Sequence, residues 1–194
     1  LKALQSQINP HFLYNTLDSI IWMAEGRKYE EVVLMTASLA RLLRQSISNE
    51  DEVVPLAREV EYAKGYLTIQ KMRYKDKLEF EIDVEPSILN IPLIKLVLQP
   101  IIENAIYHGL KYKESKGLLQ VKGFMKDGNA VLQVIDNGVG MDEETLSHIY
   151  DKHKVNYHSN GVGVYNVQKR LKLYYGENYG ITYESEKGVG TTAT

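Results

Sequence analysis

A segment close to residue 140 places the strongest constraint on the fold of this chain. Residues 130–135 form an apolar, strand-like run that ends at Asp136, and the chain continues Asp-Asn-Gly-Val-Gly-Met as far as Met141. An acid at a strand end can accept a hydrogen bond, and Gly138 and Gly140 would allow a flat ligand to approach the backbone closely. The segment therefore predicts a purine pocket, although Asp-Asn-Gly is also an ordinary turn sequence.

Three other segments accompany it in a defined order. Residues 99–109 read Gln-Pro-Ile-Ile-Glu-Asn-Ala-Ile-Tyr-His-Gly, residues 161–171 begin with Gly-Val-Gly, and residues 188–192 read Gly-Val-Gly-Thr-Thr. Together the four segments resemble the N, G1, G2 and G3 boxes of the ATPase superfamily shared by histidine kinases, gyrase B, Hsp90 and MutL. The resemblance implies that the ligand is ATP.

A second motif lies near the N-terminus, where residues 9–15 read Asn-Pro-His-Phe-Leu-Tyr-Asn. This string resembles the phosphoacceptor box of sensor histidine kinases of the LytS and YesM type, which implies that His11 accepts a phosphoryl group. Neutral imidazole suits this task, because one ring nitrogen can attack phosphorus while the other keeps its proton. Asn15 lies one helical turn further on the same face. The resemblance implies that Asn15 is a second catalytic residue, which positions water against the phosphoryl group of the partner.

The resemblance also implies a set of nucleotide contacts. Asn104 would provide an amide oxygen for Mg²⁺, a hard cation that prefers oxygen ligands. Gly161 and Gly163 precede a predicted helix, whose N-terminus can receive phosphate oxygens, and the segment between Asp136 and Gly161 would form a mobile ATP lid. The expected ATP-binding residues are Asn104, His108, Lys111, Asp136, Gly138, Gly140, Gly161, Val162, Gly163 and Thr191.

Two departures concern the phosphoryl-transfer chemistry. The commoner histidine kinases have an acid directly after the phosphoacceptor, and this chain has Phe12. The group that orients or deprotonates His11 is therefore open, and Glu103 is our candidate. Many histidine kinases also have a phosphate-binding lysine where this chain has Tyr107, so Lys111 or His108 would take its place.

A third departure concerns water activation. In gyrase, Hsp90 and MutL, the glutamate that activates the hydrolytic water lies four residues before the asparagine, and this chain has Pro100 there. Proline cannot act as a base, which disfavours hydrolysis and favours phosphoryl transfer. His148, His153 and His158 occur at spacings of five, but no accompanying acidic or cysteine ligand box supports a zinc site.

Apolar periodicity predicts an N-terminal helical region. A helix is expected over residues 1–24 with a bend before His11 caused by Pro10, and a second over residues 32–47. Two such helices form a hairpin that would bury its apolar surface by dimerising into a four-helix bundle. A third helix, from Pro55 towards Arg73, should connect the hairpin to the next domain.

The remainder alternates between strands and helices. Strands are expected over residues 78–84, 118–125, 130–135 and 181–185, with a hairpin turn at Asp127-Gly128. Helices are expected over residues 92–108, kinked at Pro100, and over residues 162–175, with Gly161 and Gly163 at a helix start near Val164. We therefore predict an α+β protein: dimerisation and phosphotransfer helices in residues 1–75, and a two-layer α/β sandwich that binds ATP in residues 76–194.

Composition restricts the partners. The net charge of −2 lacks the basic excess of most nucleic-acid-binding domains, so nucleic acid is not expected. The chain has no cysteine, which excludes disulfides and thiolate metal sites.

Because the chain starts at Leu1 and stops within a predicted strand, we expect a fragment whose sensor and transmembrane region lie outside it. We therefore expect the cytoplasmic portion of a membrane protein.

These patterns lead to one expected function and two alternatives. We expect the kinase core of a bacterial two-component sensor, a homodimer that transfers the γ-phosphoryl group of ATP to His11 and then to an aspartate of a response regulator receiver domain. A non-catalytic module that senses nucleotide and dimerises is one alternative. A hydrolytic ATPase of the same superfamily is the other.

Overall fold

The computed structural model of the protein describes residues 10–47, 52–111, 113, 115–149 and 161–194. The expected bend before His11 depends partly on residues 1–9, which lie outside these ranges, as do His153 and His158. Within the described ranges, no helix combines the length and the apolar character needed to cross a membrane.

The first two helices form the predicted hairpin. Helix α1 spans Pro10–Glu25 and helix α2 spans Tyr29–Ile47. Between them the chain reverses within three residues, where Arg27 adopts a φ of 57° and the Lys28 N–H donates to the carbonyl of Met23 at 2.9 Å. The buried side chains of the hairpin include Phe12, Met23, Met35, Leu39 and Leu42.

Helix α3, Leu56–Tyr74, joins the hairpin to the rest of the molecule. Its buried side chains Tyr66, Leu67 and Ile69 belong to one continuous apolar core that extends from α1 to the last strand. Because α3 packs against both α2 and strand β2, Leu78–Val84, it fixes the hairpin to the sheet. The division of the chain at residue 75 stays a prediction.

The main sheet has five strands. Strands β4, Gly117–Lys126, and β5, Asn129–Asp136, form an antiparallel hairpin, and β6, Tyr183–Glu186, and β7, Gly190–Ala193, form another. The order across the sheet is β2-β4-β5-β7-β6. Only β2 and β4 run parallel among these neighbours. Along β4 the buried residues alternate with half-buried ones, so one face of the sheet packs on helices. This arrangement confirms the predicted α+β fold.

The β4–β5 turn has the geometry that its sequence predicts. Asp127 and Gly128 have φ values of 50° and 80°. Positive φ at both central residues is typical of the type I′ turn, whose twist matches that of the flanking strands.

The prediction of one helix over residues 92–108 is wrong at its beginning. Pro92–Ile94 is a strand, β3, which pairs antiparallel with β1, Val53–Pro55. The helix, α4, begins only at Leu98 and ends at Asn104. Pro100 therefore lies in the first turn, where its missing N–H is not needed, and the expected kink has no cause.

A buried carboxylate from α3 fixes this late helix start. Glu59 is 7% exposed, and its two carboxylate oxygens accept the backbone N–H groups of Leu96, Val97 and Leu98 at 2.8–3.0 Å. The first N–H groups of a helix have no partner within the helix, so an acid placed there satisfies them and complements the helix dipole.

The second half of the predicted helix is wider than an α-helix. Ala105–Leu110 is π-helical, and the Lys111 N–H donates to the carbonyl of Ile106 at 2.9 Å. Short π-helical segments occur often at functional sites, because the wider turn changes the directions of the side chains.

The C-terminal helices and strands lie close to their predicted positions. Helix α5, Glu143–Ser147, follows the glycine segment and is capped by the Asp142 side chain, which accepts from the Thr145 N–H. Helix α6 spans Gly161–Tyr175, so it begins before the predicted start near Val164. Both glycines of the segment Gly161–Gly163 are thus within its first turn rather than before it.

Candidate functional site

A cavity of about 630 Å³ lies between α4 with its π-helical continuation, strands β5 and β7, and α5. This volume is in the range of small-molecule sites. Its walls combine apolar residues with polar ones, and the polar or glycine residues in them are Asn104, His108, Gly109, Asp136, Gly140, Glu144, Thr145, His148, Tyr183 and Thr191. Five of the ten predicted ATP-binding residues therefore line one cavity.

Asp136 forms the buried acidic end of the cavity. It ends β5, is 6% exposed, and accepts the backbone N–H of Gly138 at 2.8 Å. Burial raises the pKa of its carboxyl group from 3.8 to about 6, although hydrogen bonds from the backbone of Gly138 and Thr191 and the charge of Lys113 act in the opposite direction. Because this carboxylate is so little exposed to solvent, it is a strong hydrogen-bond acceptor for any donor that enters the cavity.

The glycines around Asp136 let three backbone segments meet. A Cβ on Gly109 would lie 2.6 Å from Asp136 Oδ1, a Cβ on Gly138 would overlap the backbone of Gly109, and one on Gly190 would overlap the Asp136 carbonyl. The Val139 N–H donates to the Gly109 carbonyl at 3.0 Å and ties two of these segments together. Gly138 thus packs against protein backbone and is not among the cavity-lining residues.

Gly140 is close both to protein backbone and to the cavity. Its φ is 63°, and a Cβ there would overlap the Glu186 carbonyl. Gly140 also lines the cavity. Its lack of a side chain is therefore required by the fold as well as compatible with the close approach of a ligand.

Asn104, the last residue of α4, presents an unusual oxygen at the cavity. Its side-chain Oδ1 is buried and has no hydrogen-bond partner among the described residues. Leaving a buried acceptor unsatisfied costs about 1–3 kcal/mol. An oxygen in this state, in the wall of a cavity, is available to a bound donor or cation.

The other predicted phosphate contacts have different surroundings. His108 is exposed and lines the cavity, and partial desolvation together with the nearby Lys111 lowers the pKa of its imidazole. The Lys111 ammonium is 5.9 Å from the centre of the Tyr107 ring and lies outside the cavity wall. A Cβ on Gly163 would lie 3.2 Å from Pro100, so the start of α6 packs closely on α4.

Glu103, our candidate for activating the phosphoacceptor, lies away from the cavity. It is 7% exposed, and its carboxylate accepts the side-chain amide of Gln99 at 2.8 Å. Burial raises the pKa of this carboxyl group, and its charge contributes with burial to a raised pKa of the Tyr66 hydroxyl. The structure thus places Glu103 towards α3, and its role stays a prediction.

His11 contacts the π-helical continuation of the same helix. The Tyr107 hydroxyl lies 3.1 Å from His11 Nδ1. The Asn15 amide nitrogen lies 2.9 Å from Nδ1 and 3.1 Å from Nε2. Phe12, the next residue, is buried and packs on Tyr66 of α3 with ring centres 4.7 Å apart. The helix that carries Asn104 therefore also contacts the predicted phosphoacceptor.

Two residues that sequence reasoning missed help to build the site. Glu59 holds the start of α4, and the Ser185 hydroxyl joins the glycine segment to β7, since it accepts the Met141 N–H at 2.8 Å and lies 2.8 Å from the Thr191 hydroxyl. The Glu59 contacts span more than 35 residues. No local pattern could have shown either residue.

Comparison with known proteins agrees with this geometry. Residues 1–78 match the histidine kinase family model, and residues 90–194 match the model of histidine kinase-, DNA gyrase B- and HSP90-like ATPases. The chain belongs to the histidine kinase family. The two matched regions correspond to the helices that carry His11 and to the fold that contains the cavity.

Several curated histidine kinases are similar to this chain. Sensor histidine kinase YesM of Bacillus subtilis is 37% identical over 191 residues, which cover 98% of this chain and 32% of YesM. Sensor protein LytS of Oceanobacillus iheyensis is 33% identical over 92% of this chain and 31% of the relative, and sensor histidine kinase YpdA of Escherichia coli is 33% identical over 93% and 31%. The chain thus spans about a third of the length of these relatives.

Solved histidine kinases share the fold. The histidine kinase domain of the blue-light activated kinase EL346 from Erythrobacter litoralis superposes with a TM-score of 0.54 at 15% identity, covering 98% of this chain and 88% of that domain. The catalytic domain of histidine kinase ThkA gives a TM-score of 0.54 at 16% identity over 74% of this chain and 95% of that domain. At these identities the similarity concerns the fold.

The raised pKa of Asp136 predicts that this residue lowers the stability of the folded chain at high pH when no nucleotide is bound. Between pH 3.8 and about 6 the folded chain binds a proton that the unfolded chain releases, so this contribution to stability is present at low pH and is lost as the pH rises through about 6. Asp136→Asn removes the charge. Its stability relative to the wild type should therefore increase by about 1–3 kcal/mol between pH 4.5 and 7.5, as measured by urea unfolding.

Asp127→Asn is the matched control for this measurement. Asp127 undergoes the same chemical change but is exposed in the β4–β5 turn. Its stability should stay parallel to that of the wild type over this pH range. A parallel pH dependence for Asp136→Asn as well would show that the Asp136 carboxylate is not destabilised by burial.

Proposed function

We propose that this chain is the kinase core of a two-component sensor, which binds Mg²⁺–ATP in the cavity and transfers the γ-phosphoryl group to His11. One observation carries the proposal: a single helical segment borders both sites, with Asn104 and His108 in the cavity wall and Tyr107 against the His11 ring. A kinase needs the nucleotide and its acceptor close together, because most of its rate comes from positioning and charge neutralisation.

Asp136 would recognise the base. A buried carboxylate accepts a hydrogen bond from the exocyclic amine of adenine, whereas guanine presents a carbonyl oxygen at the corresponding position. Two oxygens that face each other repel, so ATP is favoured over GTP. The apolar residues of the cavity, including Ile101, Val134 and Ala193, would enclose the flat base.

Asn104 would hold the metal. Its buried Oδ1, which has no hydrogen-bond partner in the described part of the chain, fits Mg²⁺, a cation that prefers oxygen ligands. When bound, the ion neutralises charge on the phosphates during transfer. The backbone N–H groups at the start of α6, Gly161–Tyr175, would receive phosphate oxygens, together with Thr191 and His108 of the cavity wall.

The metal proposal predicts a specific loss in the Asn104→Ala variant. Without this oxygen, Mg²⁺ should no longer strengthen nucleotide binding, so the affinity for ATP measured by calorimetry should be nearly the same with and without Mg²⁺. Asn129→Ala is the matched control, because Asn129 is exposed at the start of β5, away from the cavity. Mg²⁺-enhanced binding that persists in Asn104→Ala would assign the metal to another residue.

His11 would perform the transfer as a neutral nucleophile. The lone pair of one imidazole nitrogen forms a bond to the γ-phosphorus, the bond from phosphorus to the β–γ bridging oxygen breaks, and ADP leaves with that electron pair. The phosphoryl group would then pass to an aspartate of a response regulator receiver domain. Pro100 supports transfer over hydrolysis, because it provides no base for water at the position where the hydrolytic ATPases have glutamate.

The proposed reaction is tested with γ-labelled ATP. Wild-type protein should acquire phosphate that is lost in acid and retained in base, as expected for a phosphoramidate. His11→Gln should acquire none yet bind ATP with unchanged affinity, because the nucleotide is held by other residues. Acid-labile phosphate in His11→Gln would contradict the assignment, and nucleotide binding without any phosphorylation of the wild type would favour the nucleotide-sensing alternative.

The exposed surface of the helical hairpin supports a homodimer. Large apolar side chains are exposed on both helices, namely Leu17, Ile21, Trp22, Val33 and Leu34, with Trp22 at 76%. A four-helix bundle formed with a second copy would remove such side chains from water. Sedimentation velocity should show a dimer at micromolar concentration, and a monomer would contradict this part of the proposal.

The rest of the protein would supply the sensor. The chain spans about a third of its curated relatives, which are named as sensor kinases. We propose that a sensor and a transmembrane region lie outside this chain and that the kinase core faces the cytoplasm, where ATP and receiver domains are available. Recovery of the full-length protein in the soluble fraction of lysed cells would argue against a membrane region.

A further inference from the structure

The phosphoacceptor ring is held by a residue from the nucleotide-binding part of the chain. Tyr107 Oη lies 3.1 Å from His11 Nδ1, and the two ring centres are 5.9 Å apart with planes inclined at 55°. The hydroxyl is thus directed at one particular ring nitrogen. Tyr107 is half-buried and belongs to the π-helical segment Ala105–Leu110, so its position is set by the fold.

A chain of polar side chains on α3 supports this tyrosine. The Arg73 guanidinium hydrogen-bonds to the Tyr107 hydroxyl and donates to Gln70 Oε1 at 2.8 Å. The Gln70 amide in turn donates to the Tyr66 hydroxyl at 2.8 Å, and both Gln70 and Tyr66 are buried. These groups have few alternative arrangements, because buried polar groups must keep their partners.

Helix α3 also contacts α1, the helix that carries His11. Tyr66 packs on Phe12, the residue directly after His11. The backbone at His11 and the hydroxyl at its ring are therefore both positioned by α3. A phenylalanine at this position anchors α1, and the polar partner of the histidine comes from another helix.

We infer that Tyr107 is the positioning residue for His11, and that its hydroxyl oxygen accepts the Nδ1–H so that the lone pair of Nε2 is free to attack phosphorus. This inference rests on the proposed role of His11 as phosphoacceptor. A neutral imidazole carries one proton, so fixing it on Nδ1 decides which nitrogen is the nucleophile.

The Asn15 amide nitrogen is within reach of both ring nitrogens, so its contact follows from the tautomer and does not decide it. Its amide nitrogen is a donor, and a single N–H cannot serve Nδ1 and Nε2 together, although it lies within 3.1 Å of both. If Tyr107 takes Nδ1, Asn15 donates to the Nε2 lone pair. This weak bond is then replaced when the γ-phosphoryl group arrives.

A different role for Tyr107 would be contact with nucleotide phosphate, since many histidine kinases have a lysine at its position. The structure favours contact with His11, because the Tyr107 hydroxyl is at Nδ1 and Tyr107 does not line the cavity. The two roles differ in what the loss of the hydroxyl should change. If Tyr107 contacts His11, loss of the hydroxyl changes the tautomer of His11. If Tyr107 contacts phosphate, the same loss changes the affinity for ATP.

The experiment compares the wild type, Tyr107→Phe and Tyr174→Phe with ¹⁵N-labelled histidine. Two-bond ¹H–¹⁵N NMR spectra at neutral pH, without nucleotide, show which ring nitrogen carries the proton, and the His11 signals are identified by their loss in His11→Gln. Tyr174 is the matched control, because it is 53% exposed on α6. Its hydroxyl should affect neither His11 nor phosphorylation.

In the wild type and in Tyr174→Phe, His11 should be protonated mainly on Nδ1. In Tyr107→Phe the population should shift towards the Nε2–H form, which a free histidine side chain favours in water. The autophosphorylation rate should fall roughly 2- to 10-fold, as expected for the loss of one hydrogen bond, while the affinity for ATP and the unfolding temperature stay unchanged.

Three results would overturn the inference: an Nε2–H form in the wild type, an unchanged tautomer in Tyr107→Phe, or a loss of ATP affinity in that variant with the tautomer preserved. The tautomer is observed without ATP, so it is independent of the proposed reaction. Failure of the proposed function would instead be seen as the lack of acid-labile phosphate in the wild type.

Discussion

The carboxyl group of Asp136 is buried where β5 ends, and its surroundings determine the geometry of the cavity. At 6% exposure and with a raised pKa, this group costs stability when it is charged. Backbone N–H groups offset part of the cost, and Gly109, Gly138 and Gly190 allow three backbone segments to close around it. Burial of an acid next to a cavity is reasonable if a ligand completes its hydrogen bonds, and the amine of adenine can do so.

The other end of the site depends on a second buried acid. Glu59 of α3 accepts three successive N–H groups and thereby sets where α4 begins. The length of α4 then places Asn104 in the cavity wall, and the π-helical turns that follow place His108 at the cavity and Tyr107 at His11. A helix positioned by α3 therefore connects the cavity to His11, and α3 also packs against the hairpin.

Local patterns were sufficient for much of this architecture. The alternation of residues 78–84 gave the bounds of β2, and the Asp127-Gly128 dipeptide gave the β4–β5 turn, because both depend on neighbouring residues. The motif resemblance also identified Asn104, His108, Asp136, Gly140 and Thr191, which the structure brings to one cavity.

The missed features depend on distant contacts. Strand β3 forms only because β1 pairs with it, and the start of α4 depends on Glu59, so the apolar spacing of residues 92–108 suggested a longer helix. The tight packing of Gly138 against Gly109 could not be predicted from glycine content alone, because it requires the register of distant segments. For the same reason, the sequence shows only that Tyr107 stands where many histidine kinases have a phosphate-binding lysine. The structure places Tyr107 against His11.

Calorimetric titration of ATP and GTP into wild-type and Asp136→Asn protein tests most directly whether Asp136 accepts a hydrogen bond from an adenine base in this cavity. Loss of the acceptor leaves the adenine amine unpaired, at a cost of about 1–3 kcal/mol, or roughly 5- to 150-fold in affinity. ATP binding should weaken by about that factor, and GTP binding should weaken less, because an asparagine amide can donate to the guanine oxygen. An unchanged ratio of ATP to GTP affinity would contradict the account and leave Asp136 as a residue of the turn.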